Sequence, residues 1–313
     1  MNYSGVSDRI YDFAGVLTGR MRGGLAQVNV LVSTLMGGLS GSNLADAAMD
    51  SKMLVPQMVR KGYSLSFSAV VTVVSSIITP LIPPGIGMIV YGSVTNVSIG
   101  KLFVAGLFIG ASLCVAEMVM VAYISKKRDY KPIRTERLSA QEFWKAAKPA
   151  ILPLSIPLII IGSIRVGILT ATEAGSAAAV FALLLGLYYR EMTWPKFRQS
   201  LKETVDSTSS ILMIVAAATV FSWILTKERI PQTLAEWMLG TIDSRIVFLL
   251  IVNIFLLIAG MFIEGNATMI ILAPLLAPIA VEYGLNEIHF AMIFIFNNAI
   301  GALSPPMGTL MFV

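Results

Sequence analysis

The feature that most constrains this chain is a set of apolar stretches, residues 102–124, 150–164, 174–189 and 210–225, that can cross the hydrocarbon core of a bilayer. A spanning helix needs about 20 such residues, so several crossings fit. Composition agrees: of 313 residues, 56% are hydrophobic and 13% charged, against about 25% charged in a soluble domain. A water-soluble enzyme is excluded. The single cysteine, Cys114, cannot close an internal disulfide, and the single histidine, His289, cannot build a conventional zinc or haem site. The net charge of +5 lies in short stretches between apolar runs without interleaved aromatics, which argues for membrane orientation and against nucleic acid as a partner.

Charge between the stretches sets their sides. Residues 126–148 hold eight Lys or Arg against three Asp or Glu, and 190–203 hold four against two, so both are expected in the cytoplasm. Residues 227–245 balance three against three and are expected outside. Ser139 and Glu142 form a capping box, which predicts a short helix carrying Phe143 and Trp144 on the cytoplasmic surface. Glu117 is expected to snorkel to the cytoplasmic end and pair with Lys126 or Lys127. Arg165 is expected to anchor at the outer interface or, in the alternative, to touch an anionic substrate, and Glu173 to cap the helix it begins. At the start, Ile10, Phe13, Ala14, Leu17 and Met21 recur at helical spacing opposite Asp8, Arg9, Asp12, Arg20 and Arg22. This predicts an amphipathic arm helix, within residues 1–23, lying in the interface. The apolar end, 309–313, stops without a polar cap, so the chain is expected to be an internal piece of a longer one.

Two other segments do not read as ordinary spans. Residues 64–100 are interrupted by Thr79-Pro80-Leu81-Ile82-Pro83-Pro84-Gly85, and residues 289–303 run into Ser304-Pro305-Pro306-Met307-Gly308. Consecutive prolines delete amide donors and block the preceding turn, so each is a helix broken inside the membrane. A shift of 222 residues places Gly38 on Gly260, Ala45 on Ala267, Pro56 on Pro278, Gly62 on Gly284, and Pro83-Pro84 on Pro305-Pro306, with no gap. The chain therefore contains a duplication. Each copy has an apolar arm (25–39; 246–263), a small or polar tip (40–43; 264–267), a return arm (44–59; 268–281) and the broken helix. The first return arm carries Asp46, Asp50 and Lys52, the second Pro274 and Pro278, and re-entrant hairpins suit such arms better than full spans. Arg20, Arg22, Arg60 and Lys61 flank the first hairpin, and Glu282 and Glu287 follow the second, so the copies are expected to enter from opposite sides. The expected fold class is an all-α polytopic membrane protein built as an inverted repeat, with two re-entrant hairpins and two broken transmembrane helices.

Non-helical backbone at membrane depth is tolerated only where protein or a cavity surrounds it. Carbonyls freed at the breaks, including backbone at Gly85 and Gly308, join side-chain oxygens of Ser40, Ser42, Asn43 and Thr79 in one half and Glu264, Asn266 and Ser304 in the other. Such a set suits a small hard cation such as sodium. Asp46 is an ion ligand, a proton site or a helix N-terminal carboxylate, and Glu264 an ion ligand or a cap. Amides of half-helix N-termini near Ser42, Pro83, Pro84, Gly85, Pro305 and Pro306, with Arg165, are candidates for holding a carboxylate substrate. The rival motif Gly38-Leu39-Ser40-Gly41 resembles that of intramembrane rhomboid proteases. It lacks a histidine within reach, because His289 begins a helix at the opposite surface.

Ser40-Gly41-Ser42 with Ala45-Asp46-Ala47-Ala48, Ile82-Pro83-Pro84, Thr172-Glu173-Ala174 and Gly301-Ala302-Leu303-Ser304-Pro305-Pro306-Met307-Gly308 together resemble the large membrane subunit of tripartite ATP-independent periplasmic (TRAP) transporters. The likeness covers nearly the whole chain. Where the family more often has Ser after the first double proline this chain has Gly85, which contributes backbone only, and where it has Thr before the second this chain has Ser304. The resemblance implies sodium-driven uptake of organic acids across the bacterial inner membrane, with sodium as coupling ion and no other cofactor. It also implies delivery by a periplasmic substrate-binding protein, a small membrane subunit as partner, and an elevator motion. The transport domain would then be residues 24–100 and 246–313, and residues 101–245 mainly scaffold.

Overall fold

The computed structural model describes residues 5–136 and 138–312, and these are helical with no strand among them. In chain order the helices are α1 (Val6–Thr18), α2 (Gly24–Ser40), α3 (Asn43–Met53), α4 (Val55–Arg60), α5 (Leu65–Ser75), α6 (Ile86–Thr95) and α7 (Ile99–Lys127). They continue as α8 (Ala140–Val166), α9 (Ala171–Tyr188), α10 (Trp194–Lys227), α11 (Ile230–Thr241), α12 (Arg245–Phe262), α13 (Gly265–Glu282) and α14 (Glu287–Gly301). Two 3-10 segments, Ser76–Leu81 and Thr309–Phe312, follow α5 and α14. Six helices, α7 to α10, α12 and α13, are long and apolar enough to cross a membrane, and Leu65–Leu81 with Ile86–Thr95 forms a seventh, broken one. The chain is a multi-pass membrane protein. It divides into two compact units, one of residues up to Gly85 with Gly106–Ser200, the other of Ile86–Ala105 with Leu201–Phe312.

In the first unit, α2 ends because Gly41 takes a left-handed conformation (φ 62°) and returns its N–H to the Gly37 carbonyl at 3.0 Å. Ser42 then caps α3 by accepting from the Ala45 amide. After α5 the chain tightens into 3-10 turns, since Pro80 and Pro83 lack the amides that would bond the Ser76 and Thr79 carbonyls. The break packs back on α2: a Cβ on Gly37 would stand 3.0 Å from Thr79 Cα, and one on Gly38 would stand 3.3 Å from the Pro83 carbonyl oxygen. Gly110 of α7 leaves room for Ile82 in the same way.

The arm helix α1 forms as expected, and part of its apolar face packs on protein. Val6, Ser7, Ile10, Ala14 and Thr18 are buried, whereas Leu17 and Met21 are exposed. Thr18 enters the apolar face because its hydroxyl donates to the Ala14 carbonyl at 2.8 Å. Met21 lies beyond the end of the helix.

The short surface helix expected at Phe143 and Trp144 is corrected by the structure. The Ser139–Glu142 capping box is present, but the helix it opens runs unbroken to Val166 through Pro149, Pro153 and Pro157. Prolines four apart lie over one another, so the missing ladder bonds fall in one column. The exposed Pro149 carbonyl is taken by the Tyr189 hydroxyl at 3.2 Å. The polar stretch at 190–203 is likewise mostly helix, the start of α10, and the stretch at 227–245 holds α11. Glu117 makes no ion pair with Lys126 or Lys127; its Oε2 is buried without a partner. Nine residues of helix place Lys126 about 13 Å away along the axis, beyond pairing distance.

In the second unit, α12 and α13 form the other hairpin and α14 packs on both. Both hairpin helices are 18 residues long and apolar enough to cross, and α13 keeps Pro274 and Pro278 inside it. The break repeats the construction of the first unit. Gly260, the mate of Gly38 in the repeat, touches Gly301, the mate of Thr79, and Pro83–Pro84 and Pro305–Pro306 are both cis.

The contact between Gly260 and Gly301 is backbone against backbone, so neither side can yield. A Cβ on Gly301 would stand 2.8 Å from Gly260 Cα, while one on Gly162 of α8 meets nothing within 4 Å. Gly301→Ala should lower stability by about 1–3 kcal/mol, and Gly162→Ala should leave it unchanged or raise it. Thermal unfolding of the two variants in detergent checks this.

Candidate functional site

Where α2 turns into α3, the first unit gathers oxygen atoms. Asp46, in the first turn of α3, is completely buried. Its Oδ2 accepts from the Thr79 hydroxyl at 3.0 Å, and that hydroxyl also lies 3.4 Å from the Ser33 carbonyl. Its Oδ1 is buried with no partner, as is the Ser40 hydroxyl at the end of α2. Ser42 caps α3, and the Asn43 side chain accepts from the Leu44 amide at 2.9 Å. Gly85 and Pro83 are buried at the break, while Pro84 is half-buried. A buried carboxylate is costly without a counter-charge, and neither Asp46 oxygen meets a described basic side chain. The donor set is oxygen throughout, which matches the ligand preference of a hard cation.

The corresponding place in the second unit is more exposed and differently equipped. Glu264 is exposed and spends its carboxylate on the N-terminus of α13, accepting from the Asn266 and Ala267 amides at 2.9 and 3.1 Å and from Asn266 Nδ2 at 3.0 Å. The cap is therefore the role its geometry performs. Ser304 donates to the Ile300 carbonyl at 3.3 Å. Gly308 is buried beside the carbonyls of Ala302 and Ser304, which a Cβ would meet at 2.6 and 2.7 Å, whereas Pro305 and Pro306 are exposed. The unsatisfied buried oxygen here is Asn298 Oδ1, whose amide nitrogen donates to the Gly265 carbonyl at 2.8 Å.

Of the remaining sequence candidates, Arg165 is exposed in the last turn of α8. Glu173 closes a capping box with Thr170, as expected. The second unit also holds a cavity of about 300 Å³ lined by Tyr91, Thr95, Pro274, Pro278, Glu287 and Phe290, none of which is a candidate ligand.

Sequence reasoning missed the polar core beneath Asp46. Asn29 donates to Thr72 at 2.6 Å and accepts from Ser75 at 2.8 Å; Ser33 donates toward Asp50 at 3.1 Å; and Tyr11 of α1 donates to Asp50. All but Tyr11 are completely buried. The available signal was spacing: Asn29 and Ser33, Asp46 and Asp50, and Thr72 and Ser76 each lie four apart, on single faces of apolar helices. Asn298 was findable too, because the 222-residue shift sets Asn297-Asn298 on Ser75-Ser76.

Comparison with known proteins places this geometry. A model of the "tripartite ATP-independent periplasmic transporter, DctM component" matches residues 1–313. The chain is 41% identical over 314 residues to the sialic acid TRAP transporter large permease protein SiaM of Vibrio cholerae, covering all of this chain and 73% of that one. It is 38% identical, with the same coverage, to the C4-dicarboxylate TRAP transporter large permease protein DctM of Pseudomonas aeruginosa. It is 35% identical over 312 residues to the 2,3-diketo-L-gulonate TRAP transporter large permease protein YiaN of Escherichia coli, covering 99% of this chain and 73% of that one. The chain belongs to the DctM family of TRAP transporter large permeases, which are transporters and not enzymes.

Proposed function

We propose that this chain carries an organic acid across the bacterial inner membrane by sodium-coupled secondary active transport. The observation that carries the reading is Asp46: a completely buried carboxyl at a helix break, held by Thr79 through one oxygen and without a partner at the other. A sodium ion beside Oδ1, with the Ser40 hydroxyl as a further ligand, neutralises that charge with the hard oxygen donors it prefers. In the second unit Asn298 Oδ1 is the oxygen best placed for the same task; Asn266, Ser304 and the Gly308 backbone are secondary candidates. The relatives named for sialic acid, a C4-dicarboxylate and 2,3-diketo-L-gulonate, each of which bears a carboxylate, support an organic acid as substrate, and a relative named for isethionate, a sulfonate, widens the class to organic anions. Ser42, Gly85 and the two proline breaks are the positions to hold that group, through backbone amides at half-helix starts.

A soluble periplasmic binding protein delivers the acid, and a small membrane subunit completes the assembly. Residues 24–100 and 246–313 move as the carrying part against a framework that includes most of 101–245, in an elevator cycle. The division rests on the repeat in the sequence, in which the arm glycines of each copy, Gly37 and Gly38 in one and Gly260 in the other, lie against that copy's own break.

Transport tests the reading directly. The full-length subunit, reconstituted in proteoliposomes with its small subunit and binding protein, should accumulate substrate under an inward sodium gradient and not under a potassium gradient. Uptake indifferent to sodium contradicts it. Thr79→Val removes the donor on Asp46 Oδ2. A hydrogen bond to a charged group is worth about 1.5–3 kcal/mol, so half-saturation for sodium should rise by roughly 10- to 100-fold. Glu264→Gln, at an exposed cap, should leave the sodium dependence near wild type and lower the unfolding temperature slightly.

A further inference from the structure

Cations that the sequence holds in three separate stretches meet on one surface of the first unit. Arg20 and Arg22 lie between α1 and α2, while Arg60 ends α4 and Lys61 follows it. Lys126 and Lys127 end α7, and Arg128 and Lys131 stand in the loop after it. That loop ties the three stretches together. The Tyr130 carbonyl accepts from the Gly23 amide at 3.3 Å, and the Gly19 carbonyl accepts from the Arg134 amide at 3.0 Å, which fixes the turn carrying Arg20 and Arg22. The Tyr130 hydroxyl accepts from the Ser64 amide at 3.1 Å, and its ring stacks on Tyr63 with 4.3 Å between centroids, which fixes the turn carrying Lys61.

All eight of these cations are exposed, and the one carboxylate within the three stretches is Asp129. The ion pairs among the described residues, Arg134 with Glu142 and Lys196 with Glu191, involve none of the eight. Arg128 is held by a hydrogen bond to Ser64 Oγ at 3.3 Å and lies over the Phe67 ring, 5.4 Å from its centroid, which leaves further N–H donors on an exposed side chain. Like charges gathered without counter-charge repel, so the surface gains when anions occupy it. Exposed apolar side chains are set among the cations: Met21 between Arg20 and Arg22, Val59 before Arg60, and Ile133 after Lys131. The aromatic rings turn inward instead, with Tyr63 and Phe67 buried and Tyr130 packed on both. A single-stranded nucleic acid would need rings open to its bases, whereas apolar side chains among cations suit the boundary between phosphate and acyl chain.

We propose that this surface binds the phosphate groups of anionic phospholipids in the surrounding bilayer. The guanidinium groups of Arg20, Arg22, Arg60 and Arg128 take phosphate oxygens in paired hydrogen bonds, and the lysines add point charge. Met21, Val59 and Ile133 enter the acyl boundary beneath the headgroups. Because one loop joins the three turns, bound headgroups bridge the ends of α1, α4 and α7. The site belongs to the first copy of the repeat alone, since the 222-residue shift sets Glu282 on Arg60 and Tyr283 on Lys61. The sodium reading of Asp46 has no part in it.

The test is native mass spectrometry of the purified full-length subunit in detergent, titrated with phosphatidylglycerol or with phosphatidylcholine, which differ in headgroup charge. The wild type should bind phosphatidylglycerol at least about tenfold more tightly. Two double variants, Arg20→Gln with Arg22→Gln and Arg60→Gln with Lys61→Gln, should each lower that affinity by roughly 10- to 30-fold and leave phosphatidylcholine binding unchanged. Their side chains are exposed, so the packing beneath is untouched. Lys145→Gln with Lys148→Gln removes the same charge from exposed positions of α8 outside the cluster and should leave the affinity near wild type. Equal wild-type binding of the two lipids overturns the inference without any variant. An equal loss in the α8 variant overturns it too, because attraction by overall charge then suffices. Displacement of phosphatidylglycerol by inorganic phosphate or by a single-stranded oligonucleotide overturns the assignment to lipid.

Discussion

Inside a bilayer no water is available to hydrogen-bond a polar group, so every such group must find its partner within the protein. The architecture follows from where this chain breaks that economy and repairs it. The apolar helices satisfy their own backbones. At 76–85 and 301–308, prolines remove the amides that would continue a helix, and glycines of the preceding hairpin arm, Gly37 and Gly38 in one copy and Gly260 in the other, let the interrupted backbone be covered. The breaks are thus sheltered by the arm that precedes them in sequence, and the shelter is tight enough that most larger residues would be excluded there.

Within the first unit the same requirement concentrates polarity. A buried carboxyl cannot sit beside an interruption without donors, and Asp46 receives one from Thr79, whose hydroxyl also borders the Ser33 carbonyl. Ser33, Ser75, Asn29 and Thr72 then satisfy one another, and Asp50 draws in Tyr11 from the arm helix. The network leaves few atoms open, and those few, Asp46 Oδ1 and the Ser40 hydroxyl, mark where a ligand would complete it. The second unit solves its interruption with fewer polar atoms, chiefly Asn298 and Asn297, so the two copies share a double-proline break met by an arm glycine and differ in chemistry.

The backbone plan was legible in the sequence because prolines and glycines act locally: a missing amide or a missing Cβ has the same consequence whatever surrounds it. Hence the duplication and both breaks could be read from residue positions alone. Capping residues were legible for the same reason, and Thr170 with Glu173 behaves as read. Side-chain networks were not, because Asn29 or Ser33 in an apolar run has no meaning until its partners on α3 and α5 arrive. Glu264 drew attention as an acid at a hairpin tip, but its exposure and its proximity to two free amides make it a cap. The continuity of α8 across three prolines was hidden too, since their cost depends on whether another group, here Tyr189, reaches the freed carbonyl.

The central claim is that the buried oxygen cluster at the first break holds a monovalent cation at Asp46. Thallium(I), a heavy monovalent ion, soaked into crystals of the full-length subunit in place of sodium would reveal its position by anomalous scattering. The account predicts a peak in contact with Asp46 Oδ1 that excess sodium abolishes. A well-ordered map with no peak beside Asp46, or with a water molecule there that excess sodium leaves unchanged, would contradict it.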